Sequence, residues 1–366
     1  MTTTSAVDGL AGVPLALEPL NRKDFISDQE VRWCPGCGDY IILSALQAVL
    51  PRLGIRRENT VVVSGIGCSS RLPYYMDTYG IHSIHGRALT LATGLAMTRP
   101  DLAVFVMTGD GDALSIGANH LIHALRRNVN ITVLLFNNRI YGLTKGQYSP
   151  TSEVGQVTKS SPMGSVDRPV NPVSLALGAE ATFVARTLDS DKPHMEETIA
   201  AATKHRGASL VEIYQNCSVF NDGAFELLRE PESTESVIRL EEGEPIRFGA
   251  EGHLGVVAAP DGGVKVAEVA KVGEQAVLVH DPHCTDPSRA FALSRLTDQG
   301  LMRRAPIGIF RDVDRPAYDD QVRAQMRLAQ QGEHLEKETD SSLEKLLVGP
   351  DTWQVVYGTK AGARKQ

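Results

Sequence analysis

The sequence predicts an α/β protein with a mostly parallel sheet and helices on both of its faces. Several apolar runs are about as long as single strands and lack polar alternation, as expected where both faces of a sheet are buried. Segments with helical spacing of apolar residues separate these runs along the chain. Strands that alternate with helices in this way build a mostly parallel sheet.

The alternating pattern runs from about Trp33 to Cys217. Helices are predicted where apolar or small residues share one face, at residues 39–50, 87–97, 115–127 and 192–205. Strands are predicted where β-branched or other apolar residues run continuously, at residues 60–64, 102–107, 131–136, 181–186 and 209–214. A polar loop rich in Ser, Pro and Gly is expected at 148–172, and Asp39 is expected to cap the first helix.

Shifts in composition divide the chain into three predicted parts. Residues 1–30 form a mixed arm of Thr, Ala, Pro and charged residues, and residues 31–229 carry the alternating pattern. Residues 230–366 form a C-terminal extension that begins with a crowd of glutamates. Within the extension we expect short glycine-rich strands, a helix at 319–333 and a mobile tail at 358–366.

Composition and charge exclude several classes of protein. The chain has 366 residues, of which 42% are hydrophobic and 22% charged, as in a soluble globular protein. Its net charge of -7 argues against binding to duplex nucleic acid. The apolar runs are much shorter than the ~20 residues of a membrane helix. The first twenty-one residues lack Lys and Arg, so we predict no targeting signal and expect a cytoplasmic protein with reduced thiols.

A Gly-Asp-Gly turn is the sharpest local signal. Asp110 stands between two glycines after the strand at 102–107, and the next apolar strand runs into a double asparagine that ends at Asn138. Ligands of parallel sheets bind at the carboxyl ends of the strands, so the two side chains are expected at one edge. A carboxylate and an amide oxygen suit Mg2+, which can bridge to a diphosphate that backbone amides also hold.

Four of the five cysteines lie at the ends of predicted elements. Cys34 and Cys37 have Cys-x-x-Cys spacing, Cys68 follows the first strand and Cys217 follows the last. Four cysteinates suit a [4Fe-4S] cluster or structural Zn2+, and the spacing leaves both open. A thioredoxin-like dithiol is disfavoured because the segment before Cys34 is polar. The fifth cysteine, Cys284, is interpreted as a buried or incidental thiol, and the nearby His280 and His283 are interpreted as polar loop residues.

Taken together, the motifs resemble the β subunit of 2-oxoacid:ferredoxin oxidoreductases, and the Gly-Asp-Gly turn with the double asparagine looks like the thiamine-diphosphate motif. The match spans about residues 31–230. Ser-Ser-Arg-Leu-Pro-Tyr-Tyr, which contains Arg71, looks more like the 2-oxoglutarate enzymes than the pyruvate enzymes. The other stretches that carry the resemblance are Cys-Pro-Gly-Cys-Gly-Asp from Cys34, Gly-Ile-Gly-Cys from Gly65, Ile-His-Gly-Arg-Ala from Ile84, and Cys217.

The resemblance implies a thiamine-diphosphate-binding fold that holds thiamine diphosphate, Mg2+ and one [4Fe-4S] cluster. Mg2+ would be held by the side chains of Asp110 and Asn138 and by the carbonyl of Ile140. The implied ligands of the cluster are Cys34, Cys37, Cys68 and Cys217. The residues implied to contact thiamine diphosphate are Ile66, Gly67, Cys68, Ser69, His85, Gly111, Asp112, Gly142 and Leu143.

The implied reaction is oxidative decarboxylation of a 2-oxoacid, with 2-oxoglutarate favoured as the substrate. Electrons would pass singly through the cluster to ferredoxin, and coenzyme A would take the acyl group to give succinyl-CoA and CO2. Arg71 is expected to pair with a substrate carboxylate, because its guanidinium can bind a carboxylate in bidentate fashion. His85 is expected to position cofactor or substrate, and Leu143 to shape the acid pocket.

A partner chain is also expected. Thiamine enzymes use a glutamate from a second domain of similar shape, and the sequence contains one such domain. We therefore expect an α subunit that carries the pyrimidine domain, in an α2β2 assembly, with the C-terminal extension against it. Three alternatives stay open: another 2-oxoacid such as pyruvate, a thiamine-dependent carboligase or decarboxylase without electron transfer, and a non-catalytic subunit with a four-cysteine zinc site.

Overall fold

The computed structural model describes residues 8–229, 233–297 and 302–331. The chain divides into two compact units, Met1–Gln321 and Val322–Gln366. The described strands are β1 Thr60–Ser64, β2 Tyr79–His82, β3 Ala103–Gly109, β4 Ile131–Asn137, β5 Ile140–Tyr141, β6 Gln147–Tyr148, β7 Phe183–Leu188, β8 Ala208–Tyr214, β9 Val237–Leu240, β10 Arg247–Phe248, β11 Leu254–Ala258, β12 Val264–Glu268 and β13 Ala305–Asp312. The described α-helices are α1 Asp39–Arg52, α2 Ala88–Thr98, α3 Asp110–Leu114, α4 Ala118–Arg127, α5 Pro172–Gly178, α6 Lys192–Lys204, α7 Ser233–Ser236, α8 Val269–Val272, α9 Ser288–Ser294 and α10 Tyr318–Gln331.

Eight strands form the central sheet of the first unit, in the order β2-β1-β3-β4-β8-β7-β13-β9. The first six strands are parallel to one another. Strand β13 pairs antiparallel with β7, and β9 runs parallel to β13. The mostly parallel sheet predicted from the apolar runs is therefore confirmed. The segment after residue 230 supplies β9 and β13 to this sheet and also forms a small antiparallel sheet of β10, β11 and β12.

Apolar side chains cover both faces of the central sheet. On one face, Leu121 and Leu125 of α4 pack in one core cluster with residues of α2 and α5. On the other face, Ile42 of α1 and Ile199 of α6 belong to a second cluster. Alternate residues of a strand point to opposite faces, so Val63 of β1 lies in the first cluster and its neighbour Val62 in the second. This burial on both faces explains why the strands lack polar alternation.

Three local predictions differ from the structure. The helix predicted at 115–127 begins later, as α4 at Ala118, and the short helix α3 precedes it and ends just before Ser115, whose φ of -99° and ψ of -106° lie outside the helical region. Helix α5 was not predicted, although Asn171 caps it by accepting a hydrogen bond from the Ser174 amide. Asp39 does not cap α1: Gly38 occupies the N-cap position and makes no side-chain cap bond, and Asp39 is the first helical residue.

The last helix, α10, lies where a helix was predicted at 319–333. The tail at 358–366 lies outside the described residues. Within the part of the chain that the structure describes, no helix is long and apolar enough to cross a membrane.

Candidate active site

A cavity of about 550 Å³ lies at the carboxyl ends of β1, β3 and β4. Every residue that the resemblance assigned to thiamine diphosphate or Mg2+ lines it. Gly109, the first glycine of the Gly-Asp-Gly turn, also lines the cavity, and residues that share it but were not predicted are Phe136, Tyr141, Thr144 and Gln147. The structure therefore brings together residues from four separate stretches of the sequence because the strands that precede them are neighbours in the sheet.

Asp110 begins α3 and is buried, with 2% of its surface exposed. The hydroxyl oxygens of Ser149 and Thr151 each lie 2.5 Å from its Oδ2. Burial raises the pKa of Asp110, and the two hydroxyl hydrogen bonds partly oppose that rise. Among the described residues no cation pairs with this carboxylate. Because a buried carboxylate is costly unless a cation or metal compensates its charge, the position fits a metal ligand.

Asn138 and Ile140 follow β4 and line the cavity beside Asp110. The side-chain oxygen of Asn138 accepts a hydrogen bond from the Ile140 amide at 3.2 Å. The backbone carbonyl of Asn138 accepts one from the Asn221 side chain at 2.9 Å. An amide oxygen, a backbone carbonyl and a carboxylate are hard oxygen donors of the kind that Mg2+ takes.

Asp112 organises the loops around the cavity. Its Oδ1 accepts hydrogen bonds from the Ile66 amide at 3.2 Å and the Gly86 amide at 2.7 Å, and its Oδ2 accepts one from the Thr108 hydroxyl at 2.7 Å. His85 Nδ1 lies 2.6 Å from the same Oδ1. A carboxylate only accepts hydrogen bonds, so the hydrogen of this contact is on His85 Nδ1, and the tautomer that keeps it there has Nε2 as its acceptor. Asp112 thus orients His85 and fixes the two loops that form one wall.

Tyr141 was missed by the sequence analysis. Its hydroxyl donates a hydrogen bond to the Gly111 carbonyl at 3.0 Å. A Cβ atom at residue 111 would overlap the Tyr141 ring, so glycine is required there for the ring to approach the turn. No motif pairs these two positions, because the contact depends on how the strands are placed.

The four cysteines predicted to act as ligands lie on three loops that contact one another. The side-chain amide of Gln215 donates to Cys37 Sγ at 3.3 Å, and the indole of Trp33 donates to the Cys68 carbonyl at 2.8 Å. The Gly38 amide donates to the Asn216 carbonyl at 3.1 Å. These bonds join the loop at 33–38 to the loops that hold Cys68 and Cys217.

Cys68 lies at the boundary between the cysteines and the cavity, since it lines the cavity itself. A Cβ atom placed on Gly142 would lie 3.4 Å from Cys68 Sγ and 3.7 Å from Cys217 Sγ, so both sulfurs face one side of that glycine. Burial, with the charges of Asp39 and the other cysteines, raises the pKa of Cys68 to about 12, and burial and Asp39 also raise that of Cys37. Cys68 thus lies within electrostatic range of Cys34 and Cys217, and Cys37 lies within range of Cys68 and Cys217.

Within residues 8–229, 233–297 and 302–331, no three or more His, Cys, Asp or Glu side chains are grouped so as to hold one metal ion. The four-cysteine site therefore stays a prediction. His280 and His283 have structural partners, since His280 Nε2 lies 2.7 Å from the Ile309 carbonyl and His283 Nδ1 lies 2.7 Å from the Asp312 carbonyl. Cys284 is exposed, so the part of its interpretation that allowed a buried thiol is wrong.

Of the two residues predicted to contact the substrate, one lines the cavity and the other does not. Leu143 lines the cavity and is half exposed. Arg71 is absent from the lining, and its Nε donates to the Tyr75 hydroxyl at 3.1 Å. The pairing of Arg71 with a substrate carboxylate stays a prediction.

A buried ion pair is connected to the cavity through polar side chains. Arg186 Nε donates to Glu212 Oε2 at 2.7 Å, and both side chains are fully buried. The other oxygen of Glu212 accepts from Asn137 Nδ2 at 2.7 Å, and Asn137 Oδ1 lies 2.9 Å from the Thr151 hydroxyl. Because Thr151 contacts Asp110, a continuous chain of polar contacts runs from Arg186 to the candidate metal ligand.

The fold and the cavity define the class of thiamine-diphosphate-binding enzyme domains, and the family described as "Thiamine pyrophosphate enzyme, C-terminal TPP binding domain" matches residues 65–213. The chain is 61% identical to the 2-oxoglutarate oxidoreductase subunit KorB of Mycobacterium tuberculosis, over 94% of this chain and 91% of that one. It is 48% identical to the 2-oxoacid:ferredoxin oxidoreductase subunit beta of Sulfolobus sp, over 52% of this chain and 63% of that one.

A solved structure shows the same similarity. The 2-oxoglutarate:ferredoxin oxidoreductase from Magnetococcus marinus, with 2-oxoglutarate, coenzyme A and succinyl-CoA bound, matches with a TM-score of 0.73 and 32% identity. The match covers 92% of this chain and 100% of that one. The chain therefore belongs to the β subunits of the 2-oxoacid:ferredoxin oxidoreductase family.

Proposed function

We propose that the chain is the catalytic β subunit of a 2-oxoglutarate:ferredoxin oxidoreductase. The observation that carries the proposal is that Cys68 lines the cavity that Asp110, Asn138 and His85 also line. An electron acceptor on the cysteines would thus adjoin the organic cofactor. The names of the relatives and of the solved structure support 2-oxoglutarate as the substrate and coenzyme A as the acyl acceptor.

The residues of the cavity fit thiamine diphosphate and Mg2+. Asp110 offers a buried carboxylate that lacks a cation partner among the described residues, and the buried hydroxyl of Ser69 has no hydrogen-bond partner there. Asp110, Asn138 and Ile140 would hold Mg2+ against the diphosphate. The chemistry that thiamine diphosphate supplies when bound is an electron sink for the carbanion left by decarboxylation. His85 Nε2 would accept or return a proton at the reacting centre, held in place by Asp112.

The cysteines fit a [4Fe-4S] cluster by their chemistry and their neighbourhood. Thiols with raised pKa values are protonated near neutral pH, so binding of a cluster would release protons from Cys37 and Cys68. The sulfurs of Cys68 and Cys217 both face Gly142, which also lines the cofactor cavity. Cys34 is exposed and would place one corner of the cluster towards ferredoxin.

We expect Cys217→Ser to lose the cluster, because a hydroxyl replaces one of four thiolate ligands. Iron analysis of anaerobically purified protein should fall from about four irons per chain to below one. Cys284→Ser is the matched control, since Cys284 is exposed and lies outside the cysteine loops. An unchanged iron content in Cys217→Ser would remove Cys217 from the ligands, and a colourless wild-type protein that contains zinc would favour the non-catalytic alternative.

A partner α subunit would cover the mouth of the cavity. Apolar side chains there are unusually exposed: Ile66 by 43%, Leu143 by 50%, and the nearby Ile84 by 73%. Apolar residues exposed in a group are typical of a protein interface. We propose that this surface receives an α subunit with the pyrimidine domain, in a cytoplasmic α2β2 enzyme that reduces ferredoxin.

The decisive experiment is anaerobic co-purification with the α subunit, followed by a viologen-reduction assay with several 2-oxoacids. We expect reduction that requires coenzyme A and is fastest with 2-oxoglutarate. Faster reduction with pyruvate would contradict the assignment of 2-oxoglutarate as the substrate. Decarboxylation of the acid without any viologen reduction would instead favour a carboligase or decarboxylase.

Substitution of Arg71 by leucine tests the predicted contact with the distal carboxylate. Hydrogen bonds to charged groups are worth about 1.5–3 kcal/mol, so KM for 2-oxoglutarate should rise by about 10- to 100-fold. KM for pyruvate, which has no second carboxylate, should stay nearly constant. Because Arg71 donates to the Tyr75 hydroxyl, Tyr75→Phe controls for the loss of that contact and also removes the hydrogen bond from the Arg32 amide. Equal changes in both KM values would refute the carboxylate role.

A further inference from the structure

A second cavity, of about 1120 Å³, lies beside the cofactor cavity. Its wall includes Asn137 and Tyr214, which are the last residues of β4 and β8. Thr151, whose hydroxyl contacts Asp110, also lines it. The two cavities are thus separated by the polar chain that supports the candidate metal ligand. None of the functions described above uses this second cavity.

The lining of the second cavity is strongly cationic. Arg168, Arg295, Arg303 and Arg304 line it, and no lining residue among those described is acidic. The guanidinium groups of Arg168 and Arg303 make no ion pair or hydrogen bond with the described residues. The chain as a whole has a net charge of -7, whereas the four arginines give this cavity a positive local charge. Such a group of positive charges attracts a polyanion.

A buried hydroxyl points to a ligand independently of the arginines. Tyr214 is 1% exposed, and its hydroxyl has no hydrogen-bond partner among the described residues. Its ring is stacked on Phe225 at 4.4 Å and lies 5.1 Å from the Arg186 guanidinium, so the side chain is fixed. A buried hydroxyl left without a partner costs about 1–3 kcal/mol, and a bound acceptor would remove that cost.

Apolar side chains complete the lining and include Val154, Val170, Leu296 and Met302. The volume of about 1120 Å³ slightly exceeds the usual range of small-molecule sites, which is about 300–1,000 Å³, so the cavity has room for a large ligand. A simple inorganic anion would leave these apolar walls uncovered. The lining therefore fits a molecule that carries several phosphates on an organic body.

We propose that the second cavity binds a phosphorylated organic anion of nucleotide size. Its phosphates would contact Arg168, Arg295 and Arg303, since arginine binds phosphate oxygens in bidentate fashion. The Tyr214 hydroxyl would donate a hydrogen bond to the buried end of the molecule. Two sources share this chemistry, a free nucleoside diphosphate and coenzyme A, and the experiment below separates them.

The test is calorimetric titration of the full chain with ADP and with coenzyme A, after saturation with thiamine diphosphate and Mg2+. We expect binding that weakens with salt, and a loss of affinity of about 10-fold in Arg168→Ala and in Arg303→Ala. Tyr214→Phe, which keeps the stacked ring, should weaken binding by about 5-fold. Arg99→Ala is the control, because Arg99 is exposed and pairs with Asp101 outside the cavity.

Binding of coenzyme A alone would identify the acyl acceptor as the source, and binding of ADP alone, or binding of ADP tighter than that of coenzyme A, would identify a free nucleotide. Failure of both to bind at millimolar concentration would overturn the proposal, as would affinities that ignore the arginine substitutions. The same titration on Asp110→Ala, without thiamine diphosphate, separates the two cavities. Retained binding there supports the second cavity even if the proposed function fails, and lost binding would place the anion in the cofactor cavity.

Discussion

Replacement of Asp110 by alanine should lower the affinity for thiamine diphosphate by about 100-fold or more and abolish turnover. The variant removes a proposed ligand of Mg2+, and loss of an outer-shell partner alone costs about 10- to 100-fold at metal sites. Isothermal titration of the cofactor in the presence of Mg2+ measures the effect directly. Asp101→Ala, on the surface and outside the cavity, should bind as the wild type does.

The same substitution should leave the stability of the cofactor-free protein nearly unchanged. Burial raises the pKa of Asp110 in the folded state, so its ionised form opposes folding once the pH rises above the ordinary carboxyl range. Removing that charge offsets the loss of the hydroxyl contacts from Ser149 and Thr151. A variant that melts as the wild type does yet binds no cofactor would establish the ligand role, whereas retained affinity would refute it.

The second large effect is expected at the buried ion pair. Glu212→Gln leaves Arg186 as an uncompensated buried charge, which should lower the free energy of unfolding by about 3–5 kcal/mol. Arg186 keeps weaker contacts with the Pro306 carbonyl and the Asn171 side chain, both at 3.2 Å, and these cannot replace a carboxylate. Chemical denaturation of the cofactor-free chain measures the loss.

The double variant Glu212→Gln with Arg186→Met provides the matched control for the ion pair. Replacement of a buried ion pair by uncharged side chains is often neutral, so the double variant should regain most of the lost stability. A double variant as unstable as Glu212→Gln would show that the charge of Arg186 is not the cause. Because the pair connects to Asp110 through Asn137 and Thr151, the single variant should also bind thiamine diphosphate more weakly.

The sequence predicted the parts of the fold that local patterns determine. Strands buried on both faces read as apolar runs, so the predicted and observed bounds of β1 coincide at 60–64. Strand β2 escaped prediction because its four residues, Tyr79–His82, lie at the sheet edge and are mostly exposed. Helix α5 carried a readable signal, an Asn-Pro start, at the end of the polar loop predicted at 148–172, and its seven residues are fewer than a clear helical period requires.

In the candidate site, too, the residues that belong to local motifs were predicted, and those that reach the site through the tertiary fold were missed. Asp110, Asn138 and His85 were found because each belongs to a motif at a strand end, and all three line one cavity. Ser149 and Thr151 were missed because they reach Asp110 from about 40 residues further along the chain, through a loop whose path no local pattern determines. Tyr141 lies within the motif region, and its contact with Gly111 becomes visible only in three dimensions.

The convergence of four donors on Asp112 has a consequence for how the cofactor is received. The amides of Ile66 and Gly86 already donate hydrogen bonds to the buried carboxylate of Asp112, so the two loops do not have to become ordered when the cofactor binds. The loops that form this wall are ordered during folding, so little conformational entropy is lost when the cofactor binds. The affinity for the cofactor is correspondingly higher. Both amides should therefore exchange slowly with deuterium even in the cofactor-free chain, as expected of a preorganised receptor.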